Sequence, residues 1–347
     1  MNFEEEAALA QRSLEHYFRS ADPLQGYNNV YPLMHWHQND VFNYWWVAHL
    51  VDSQLDAFSR SGDALDLRRA EATYAANKAR NHGTLLHVYY DDELWNALAA
   101  VRLYQATGTA SYLADAQQVC ADVFRTAWNE AQGGGFAWTR MQLDYKNTPA
   151  NAPAMILALR LYQLDPQPAY LEKSLADLAW LRETLVDADS QFVADGVNRL
   201  GDGKIDVQWP FSYNQGVYIG ALIEFFHVTG ERQYLEDALT CARTTLARLA
   251  QDGVLVDVGE GGGDVGLFKG IFYRYAALLV QETGDAGLRD FILASCAVLA
   301  DHALTDDGWL LARANWRERV MLPLVALSEE LSAVMVLEAA ASLQTKG

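Results

Sequence analysis

The chain has 347 residues, of which 51% are hydrophobic and 20% are charged, so a large core is feasible and global disorder is not indicated. Its formal net charge of −19 would repel phosphate backbones and anionic membrane surfaces, which argues against a nucleic-acid or membrane partner. An acidic N-terminus without an apolar signal region, together with three cysteines that cannot all pair, predicts a cytoplasmic protein.

The pattern from the N-terminus onward is one helical unit repeated along the chain. Short segments containing Gly or Pro recur at intervals of about 46 to 64 residues, and each ends one helix and begins the next. A markedly apolar helix precedes each of these segments, and a more amphipathic helix with a charged face follows it. The predicted apolar helices are 39–59, 91–107, 149–164, 213–229, 268–282 and 318–341, and residues 3–20 form a further amphipathic helix.

A helix that is apolar on nearly all sides must also be buried on nearly all sides. Six such inner helices, covered by six amphipathic outer helices, predict an all-α fold, an (α/α)6 barrel of six helical hairpins, as a single domain over residues 1–347. The outer-to-inner connections are long and carry the unusual residues. Because connections of one kind fall at one end of such a ring, we expect a cleft at that end.

Two adjacent acids, Asp91 and Asp92, begin one inner helix in the stretch HVYYDDELWNALAAV. One interpretation is structural, because acids are common in a first helical turn and suit its dipole. The other is chemical: two carboxylates about 5 Å apart are the pair of a retaining glycosidase. Their mutual repulsion in a partly dry cleft would help one of them to keep a proton, as an acid catalyst requires.

Further residues of the loop face suit a sugar ligand. Flat aromatic rings can stack on pyranose faces, although a place in the core is the alternative for several tryptophans. Uncharged amides beside acids suit hydroxyl recognition better than phosphate recognition. The predicted substrate-binding residues from this pattern are Tyr90, Trp138, Asn147, Asn151, Asp195, Asn214, Gln215 and Asp264.

Other chemistries have weaker signals. His35 and His37 could suggest a metal site, but no third ligand of matching spacing stands nearby, and packing or hydrogen bonding is the better interpretation. The glycine-rich stretch GEGGGDVG at 259–266 lacks the Lys-Ser/Thr of a phosphate loop and is interpreted as a turn. We therefore expect no metal and no cofactor.

Several ordered motifs together resemble glycoside hydrolase family 76, the endo-α-1,6-mannanases. They are YYDDELWNALAAVRLYQATG, GGGFAW with YKNTPAN, DGVN, FSYNQGVYIGALIEFFHVTG and FKGIFYRYAALL, from about residue 40 to 285. The resemblance implies an (α/α)6 fold and a retaining mechanism, with Asp91 as the nucleophile and Asp92 as the acid/base. It also places Asp195, Tyr213, Asn214 and Gln215 at the sugar site and Phe268 and Lys269 near it, although Lys269 could equally be a helix-start residue paired with Asp264.

The sequence thus predicts a hydrolase that cleaves α-mannosides, with α-1,6-linked manno-oligosaccharides as its substrate. A cytoplasmic enzyme would meet short imported chains rather than wall polymer. Two alternatives remain: another sugar enzyme of the same fold, either a different glycosidase or an epimerase, and a carbohydrate-binding protein without turnover. An epimerase would be expected to use a histidine base, and the intact acid pair argues against a protein that only binds.

Overall fold

The computed structural model describes residues 1–259, 262–321 and 324–344, and the regular structure in these ranges is mainly helical. The helices, in chain order, are α1 (Phe3–Phe18), α2 (Tyr44–Ser61), α3 (Ala64–Arg80), α4 (Tyr90–Thr107), α5 (Ala110–Thr126), α6 (Thr148–Leu164), α7 (Pro168–Thr184), α8 (Ser212–Thr229), α9 (Gln233–Leu249), α10 (Val265–Thr283), α11 (Ala286–Ala303) and α12 (Leu327–Leu343). The strands are β1 (Val30–Tyr31), β2 (Ala137–Thr139), β3 (Gln142–Asn147), β4 (Gly196–Val197), β5 (Ala250–Gln251), β6 (Val254–Leu255) and β7 (Val325–Ala326). Within these ranges, no helix combines the length and the apolar character that a membrane span requires.

The chain forms two units, one of residues Asn81–Thr245 and one of Met1–Arg80 together with Leu246–Gly347. The boundary at residue 245 falls inside α9. The single domain expected over residues 1–347 stays a prediction.

In the unit Asn81–Thr245, apolar helices alternate with amphipathic ones as predicted. Helices α4, α6 and α8 are buried along most of their length, and α6 packs against both α4 and α8. Both α4 and α8 end at a glycine, Gly108 and Gly230, whose φ angles of 71° and 73° lie in the left-handed region that glycine adopts at little cost. The two glycines, which the sequence analysis predicted as helix ends, therefore end α4 and α8.

The same unit contains a small antiparallel sheet with the strand order β2, β3, β4. Strands β2 and β3 follow α5 in the chain, and β4 follows α7. Lys146 of β3 lies opposite Ala137 of β2 and opposite Val197 of β4. No strands were predicted from the sequence, because the segments are short and carry little apolar alternation. This sheet matters because it carries or adjoins several of the predicted site residues.

In the other unit, α12 packs against α1, α2, α10 and α11, which explains its nearly continuous burial. Polar contacts fix its C-terminal half: Arg60 Nε donates to Glu338 Oε2 at 2.9 Å, and Gln11 Nε2 donates to Glu338 Oε1 at 3.0 Å. Strand β1 pairs antiparallel with β7 just before α12 begins.

Two inner helices begin later than predicted, and both differences have a physical cause. Helix α2 begins at Tyr44 rather than at residue 39, because the Asn39 side chain accepts the backbone N–H of Asn29 in a short 3₁₀ turn. Helix α12 begins at Leu327 rather than at residue 318. Just before it, β7 pairs with β1 and the Glu329 side chain accepts the N–H of residue 326, so the chain enters the helix from an extended conformation.

Candidate active site

Asp91 and Asp92 occupy the first turn of α4, both half-buried. Tyr89, the N-cap of α4, has an extended conformation and offers no side-chain cap, and the helix dipole favours negative charge at this point. A first-turn position alone fits the structural interpretation equally well. The surroundings of the two carboxylates distinguish the structural interpretation from the chemical one.

Asp91 is held by donors on both of its oxygens. Trp138 Nε1 donates to Asp91 Oδ2 at 2.9 Å, and the backbone N–H of Asp92 donates to Asp91 Oδ1 at 3.0 Å. Trp138 lies on β2, and its ring centroid is 4.9 Å from that of Tyr89. Because hydrogen bonds donated to a carboxylate stabilise its charged form, this arrangement suits an ionised Asp91.

Asp92 faces a different neighbour. Its Oδ2 lies 3.3 Å from Nδ1 of His87, a ring that is 21% exposed. The backbone N–H of Tyr89 donates to the same His87 nitrogen at 3.3 Å. Burial, and secondarily the positive charge of Arg140, lower the pKa of His87. Two adjacent carboxylates on one helical turn therefore have unequal environments.

The segment before the acid pair is fixed by Arg140, which follows β2. Its Nε donates to the carbonyl of His87 at 2.7 Å, and one amino nitrogen donates to both oxygens of Glu93 at 2.9 and 2.8 Å. Glu93 is fully buried and also accepts the His87 N–H at 2.6 Å. Burial raises the pKa of Glu93 to about 7. Arg140 also donates to Asp122 of α5 at 2.7 Å, so α4, α5 and the end of β2 are joined at one point.

A further acid, Asp195, lies just before β4 and is 2% exposed. Asn214 of α8 donates to its Oδ1 at 2.9 Å, and Arg199 donates to its Oδ2 at 2.6 Å. Tyr145 of β3 donates to Oδ2 at 3.3 Å, and Tyr213 donates to Oδ1 at 3.5 Å. Burial raises the pKa of Asp195, while the hydrogen bond from Asn214 and the charge of Arg199 act against this rise.

Two observations connect this cluster with the acid pair. The pKa of Tyr213 is raised well above its usual value by burial and by the negative charges of Asp195 and Asp91. Trp138, which donates to Asp91, also packs edge-on against Tyr145 with ring centroids 5.6 Å apart. The predicted residues Asp91, Trp138, Asp195, Tyr213 and Asn214 thus lie in one connected group.

Arg199 is the principal site residue that the sequence analysis missed. Besides Asp195, it donates to Asp206 at 3.1 Å and to the hydroxyl of Tyr145. Its guanidinium lies 4.1 Å from the ring centroid of Trp209. The sequence shows Arg199 as a basic residue immediately after DGVN, in a loop with three further charges. This pattern does not identify its role, because several of its partners are distant in sequence.

Four predicted binding residues have other tasks in the structure. Tyr90 is 1% exposed and points to Thr126 and Arg140. Asn147 caps α6 by accepting the N–H of residue 150 at 3.2 Å. Asn151 exchanges two hydrogen bonds with the backbone of residue 136, at 2.6 and 2.9 Å, and Gln215 does the same with residue 193, at 2.9 and 2.7 Å. Because these contacts occupy buried side chains, we assign the four residues to positioning the loops rather than to contact with a ligand.

The other unit contains the remaining predicted residues. Asp264 begins α10 and accepts hydrogen bonds from Nε1 of Trp45 at 3.1 Å and of Trp46 at 2.8 Å. Phe268 is 6% exposed, with its ring centroid 6.3 Å from that of Trp45. Lys269 was predicted either near the sugar or paired with Asp264; it is 1% exposed and donates to the carbonyls of residues 255 and 314. A direct role for Lys269 at a ligand is therefore corrected to a structural one.

The two histidines that suggested a metal site do not form one. Nδ1 of His37 lies 2.9 Å from a carboxylate oxygen of Asp40 in an exposed turn. Among the residues that the structure describes, no three His, Cys, Asp or Glu side chains are grouped so that they could hold a metal ion. The glycine-rich stretch 259–266 includes residues 260 and 261, which lie outside the described ranges.

An all-α chain with two carboxylates at a helix start, beside a cluster of aromatic and acidic residues, has the features of a helical-barrel glycoside hydrolase. The family model of Glycosyl hydrolase family 76 matches residues 3–346, and the chain belongs to this family. The family assignment made from the sequence motifs is thereby confirmed.

Solved structures resemble the chain over nearly its whole length. The Lin0763 protein from Listeria innocua is 50% identical with a TM-score of 0.96, over 99% of this chain and 98% of that one. The GH76A α-1,6-mannanase from Salegentibacter sp. HEL1_6 is 33% identical with a TM-score of 0.90, over 99% of this chain and 100% of that one. An inactive variant of that mannanase, with two consecutive aspartates replaced by alanine, is known in complex with α-1,6-mannotetrose. The likeness confirms the predicted fold class, an (α/α)6 barrel of helical hairpins.

Curated relatives are more distant. A putative mannan endo-1,6-alpha-mannosidase of Schizosaccharomyces pombe is 26% identical over 54% of this chain and 46% of its own length. Mannan endo-1,6-alpha-mannosidase DFG5 of Saccharomyces cerevisiae is 25% identical over 67% of this chain and 54% of its own length. The chain thus spans about half the length of the curated relatives it matches.

Proposed function

We propose that the chain is a retaining glycoside hydrolase that cleaves α-1,6-linked manno-oligosaccharides, with Asp91 as the nucleophile and Asp92 as the acid/base. The observation that carries this proposal is the unequal environment of the two carboxylates. Asp91 accepts two N–H donors, whereas Asp92 faces a histidine nitrogen that itself accepts a hydrogen bond. Carboxylates that differ in this way suit the two different roles of a retaining mechanism.

The Salegentibacter mannanase supports the choice of residues. Its inactive variants replace two consecutive aspartates, and they are known in complex with α-1,6-mannotetrose and α-1,6-mannotriose. This chain contains two consecutive aspartate pairs, Asp91–Asp92 and Asp306–Asp307. The second pair lies in an exposed turn, whereas the first is half-buried at the start of α4 beside the Asp195 cluster. We therefore assign the chemistry to the first pair.

In the proposed first step, Asp91 attacks the anomeric carbon while the bond from that carbon to the glycosidic oxygen breaks. Asp92 gives its proton to the departing oxygen. In the second step the ionised Asp92 takes a proton from water, and the water oxygen displaces Asp91 from the anomeric carbon. Two displacements at one carbon leave its configuration unchanged.

Sugar binding would fall to the residues around these carboxylates. Asp195 is buried and accepts hydrogen bonds from four side chains, so its role would be to position Tyr213, which also interacts with the charge of Asp91. The half-buried ring of Trp138 offers a face on which a pyranose ring can stack. An oligosaccharide ligand fits this combination of acids, hydroxyls and aromatic rings better than a phosphorylated one, because carboxylates repel phosphate.

The test is a kinetic comparison of Asp91→Asn and Asp92→Ala on an α-1,6-mannobioside and on an aryl α-mannoside. Asp91→Asn should lose activity on both substrates. Asp92→Ala should fail on the mannobioside but still transfer mannose from the aryl mannoside, whose phenol leaves without a proton. Azide should then restore turnover and give a mannosyl azide with the configuration of the substrate, because azide needs no base.

Equal losses for both variants on both substrates, without rescue by azide, would contradict the assignment. Binding of mannobiose by the parent protein without any hydrolysis would instead favour the carbohydrate-binding alternative. Calorimetry of the same mannobiose preparation distinguishes these outcomes.

We also propose a cytoplasmic location, supported by the three cysteines. Cys120, Cys241 and Cys296 are all free and buried, which suits a reducing compartment. Cell fractionation of the native source with an antibody to this chain tests the proposal, and recovery in the secreted fraction would contradict it.

A further inference from the structure

We propose that His87 is a positioning residue that keeps the catalytic proton on Asp92 until the leaving group takes it. This inference rests on the proposed function, because it deepens the role of Asp92 as the acid/base. His87 does not touch the reacting atoms in the proposed mechanism. It acts through the carboxylate next to it.

The geometry at the His87 ring defines which form of Asp92 it favours. The Tyr89 backbone N–H donates to Nδ1 at 3.3 Å, so this nitrogen carries a lone pair, and in the neutral ring the proton sits on Nε2. The same Nδ1 lies 3.3 Å from Oδ2 of Asp92. At this distance an ionised carboxylate oxygen and the Nδ1 lone pair repel each other, whereas a protonated Asp92 can donate to that lone pair and share it with the Tyr89 N–H. A neutral His87 therefore favours protonated Asp92.

The surroundings of the His87 ring favour its neutral form. Burial, with the nearby positive charge of Arg140, lowers the pKa of His87 from its usual 6.5. Arg140 thus has two effects on one residue: it fixes the His87 main chain through the carbonyl, and its charge keeps the His87 ring from taking up a proton.

The other charges around Asp92 do not make His87 redundant. The helix start favours negative charge on Asp92, which would ionise an acid catalyst too early. On α4, Asp91 opposes that ionisation by repulsion, and Glu93 is engaged with Arg140. Arg140, beyond β2, is also paired with Asp122 of α5. His87 is thus a neighbour in direct contact with Asp92 that offsets the helix start.

The main chain of His87 is held independently of its side chain. Its N–H donates to Glu93 and its carbonyl accepts from Arg140. A change of the side chain therefore leaves the backbone of the segment in place. This separation makes side-chain variants informative.

Two amide variants differ in one relevant respect. Asn places Oδ1 where His has Nδ1, and it can accept the N–H two residues later as an Asx turn does. Gln places its polar group beyond that position, near the place of Nε2. His87→Asn should therefore keep an acceptor against Asp92, whereas His87→Gln should lose it.

The experiment is the pH profile of kcat/KM on an α-1,6-mannobioside for the parent and both variants. The alkaline limb reports loss of the proton from the acid catalyst. In His87→Gln this limb should move to lower pH by about 1, the size expected when one close neighbour of a carboxyl is removed. His87→Asn should keep it near the parental position. On an aryl mannoside, whose first step needs no acid, the three profiles of the glycosylation burst should coincide on the alkaline side.

An unmoved alkaline limb in His87→Gln, with an equal loss of rate at every pH in both variants, would overturn the inference and leave His87 a purely structural role. Circular dichroism checks that each variant is folded. If only His87→Asn is folded, a moved alkaline limb contradicts the proposal. If only His87→Gln is folded, an unmoved alkaline limb contradicts it. Failure of the proposed function looks different. It would appear as equal losses for Asp91→Asn and Asp92→Ala without azide rescue, whatever the His87 variants do.

Discussion

The indole nitrogen of Trp138 lies 2.9 Å from Oδ2 of Asp91, although 47 residues separate the two in sequence. An indole N–H can only donate, so its partner oxygen must offer a lone pair. The contact joins β2 to the first turn of α4, and a hydrogen bond donated to a carboxylate favours the ionised form of the proposed nucleophile. The first turn of α4 thus becomes part of the candidate site through Trp138, which lies outside that helix.

Trp138→Phe removes this donor and keeps an aromatic ring. We expect the acidic limb of kcat/KM, which reports ionisation of the nucleophile, to move to higher pH by about 1 to 2, because a hydrogen bond to a charged group is worth about 1.5–3 kcal/mol. The measurement is the pH profile on an aryl mannoside. Trp180→Phe is the matched control, since it also loses an Nε1 hydrogen bond, to the carbonyl of residue 132. A limb that moves equally in both variants would assign the effect to lost packing.

Arg199→Gln should weaken substrate binding in a pH-dependent way. Burial raises the pKa of Asp195, and the charge of Arg199 opposes this rise, so removing the charge raises that pKa further. Protonated Asp195 is a weaker acceptor for the side chains that it holds, Tyr213 among them. We expect KM for mannobiose to rise about 10- to 100-fold at acidic pH and to recover as the pH increases.

Lys204→Gln is the control for Arg199, because Lys204 lies on the same loop and pairs with Asp202 at the surface. It should leave KM unchanged. An increase of KM in Arg199→Gln that is the same at every pH would mean that the arginine only shapes the loop.

The sequence was sufficient for the helices and for the acid pair, because both depend on local patterns. Apolar periodicity located α4, α6 and α8 to within a residue or two, and the glycines after α4 and α8 and the proline after α6 located their ends. The adjacency of Asp91 and Asp92 is itself a local feature. Their environments are not local, since they depend on Trp138 and on the fold that brings β2 to α4.

The residues that escaped prediction have partners far away in the chain. Arg199 reaches Tyr145, 54 residues earlier, and Arg140 reaches Glu93, 47 residues earlier. Contacts between residues so far apart leave no periodic pattern in the sequence. The late start of α12 has a similar cause: residues 325 and 326 pair as β7 with β1, far earlier in the chain, and Glu329 captures the N–H of residue 326. Tertiary polar contacts there outweigh local propensity.

Glu330 predicts how stability depends on pH. It is fully buried, and burial raises its pKa from 4.5 to about 8. Between these values the folded chain binds a proton that the unfolded chain has lost, so the free energy of unfolding falls as the pH rises. Glu330→Gln cannot ionise and should gain about 4 kcal/mol relative to the parent between about pH 5 and about pH 8.

Urea unfolding at the two pH values measures this difference. Glu5→Gln, at an exposed position of α1, is the control and should show no pH-dependent gain. A Glu330→Gln variant that is equally less stable at both pH values would mean that the glutamate acts only as an acceptor for the N–H of residue 312.

Hydrolysis should not require a divalent metal, because the proposed mechanism takes its nucleophile and its proton from Asp91 and Asp92. Enzyme treated with a chelator and then dialysed should keep its rate on mannobiose. Loss of the rate, with recovery on adding back one particular metal, would assign the chemistry elsewhere.

The contacts between α1 and α12 bear on how the chain is made. Gln11 donates to Glu338, 327 residues later, and the N–H of residue 310 donates to Ser13, 297 residues earlier. A ribosome adds about 5–20 residues per second, so α1 emerges tens of seconds before the partner that covers it. The stretch 81–245 is continuous and is complete on the ribosome well before then. The segment that carries the proposed catalytic pair can therefore begin to fold during synthesis, whereas α1 cannot pack against α12 until α12 has been made.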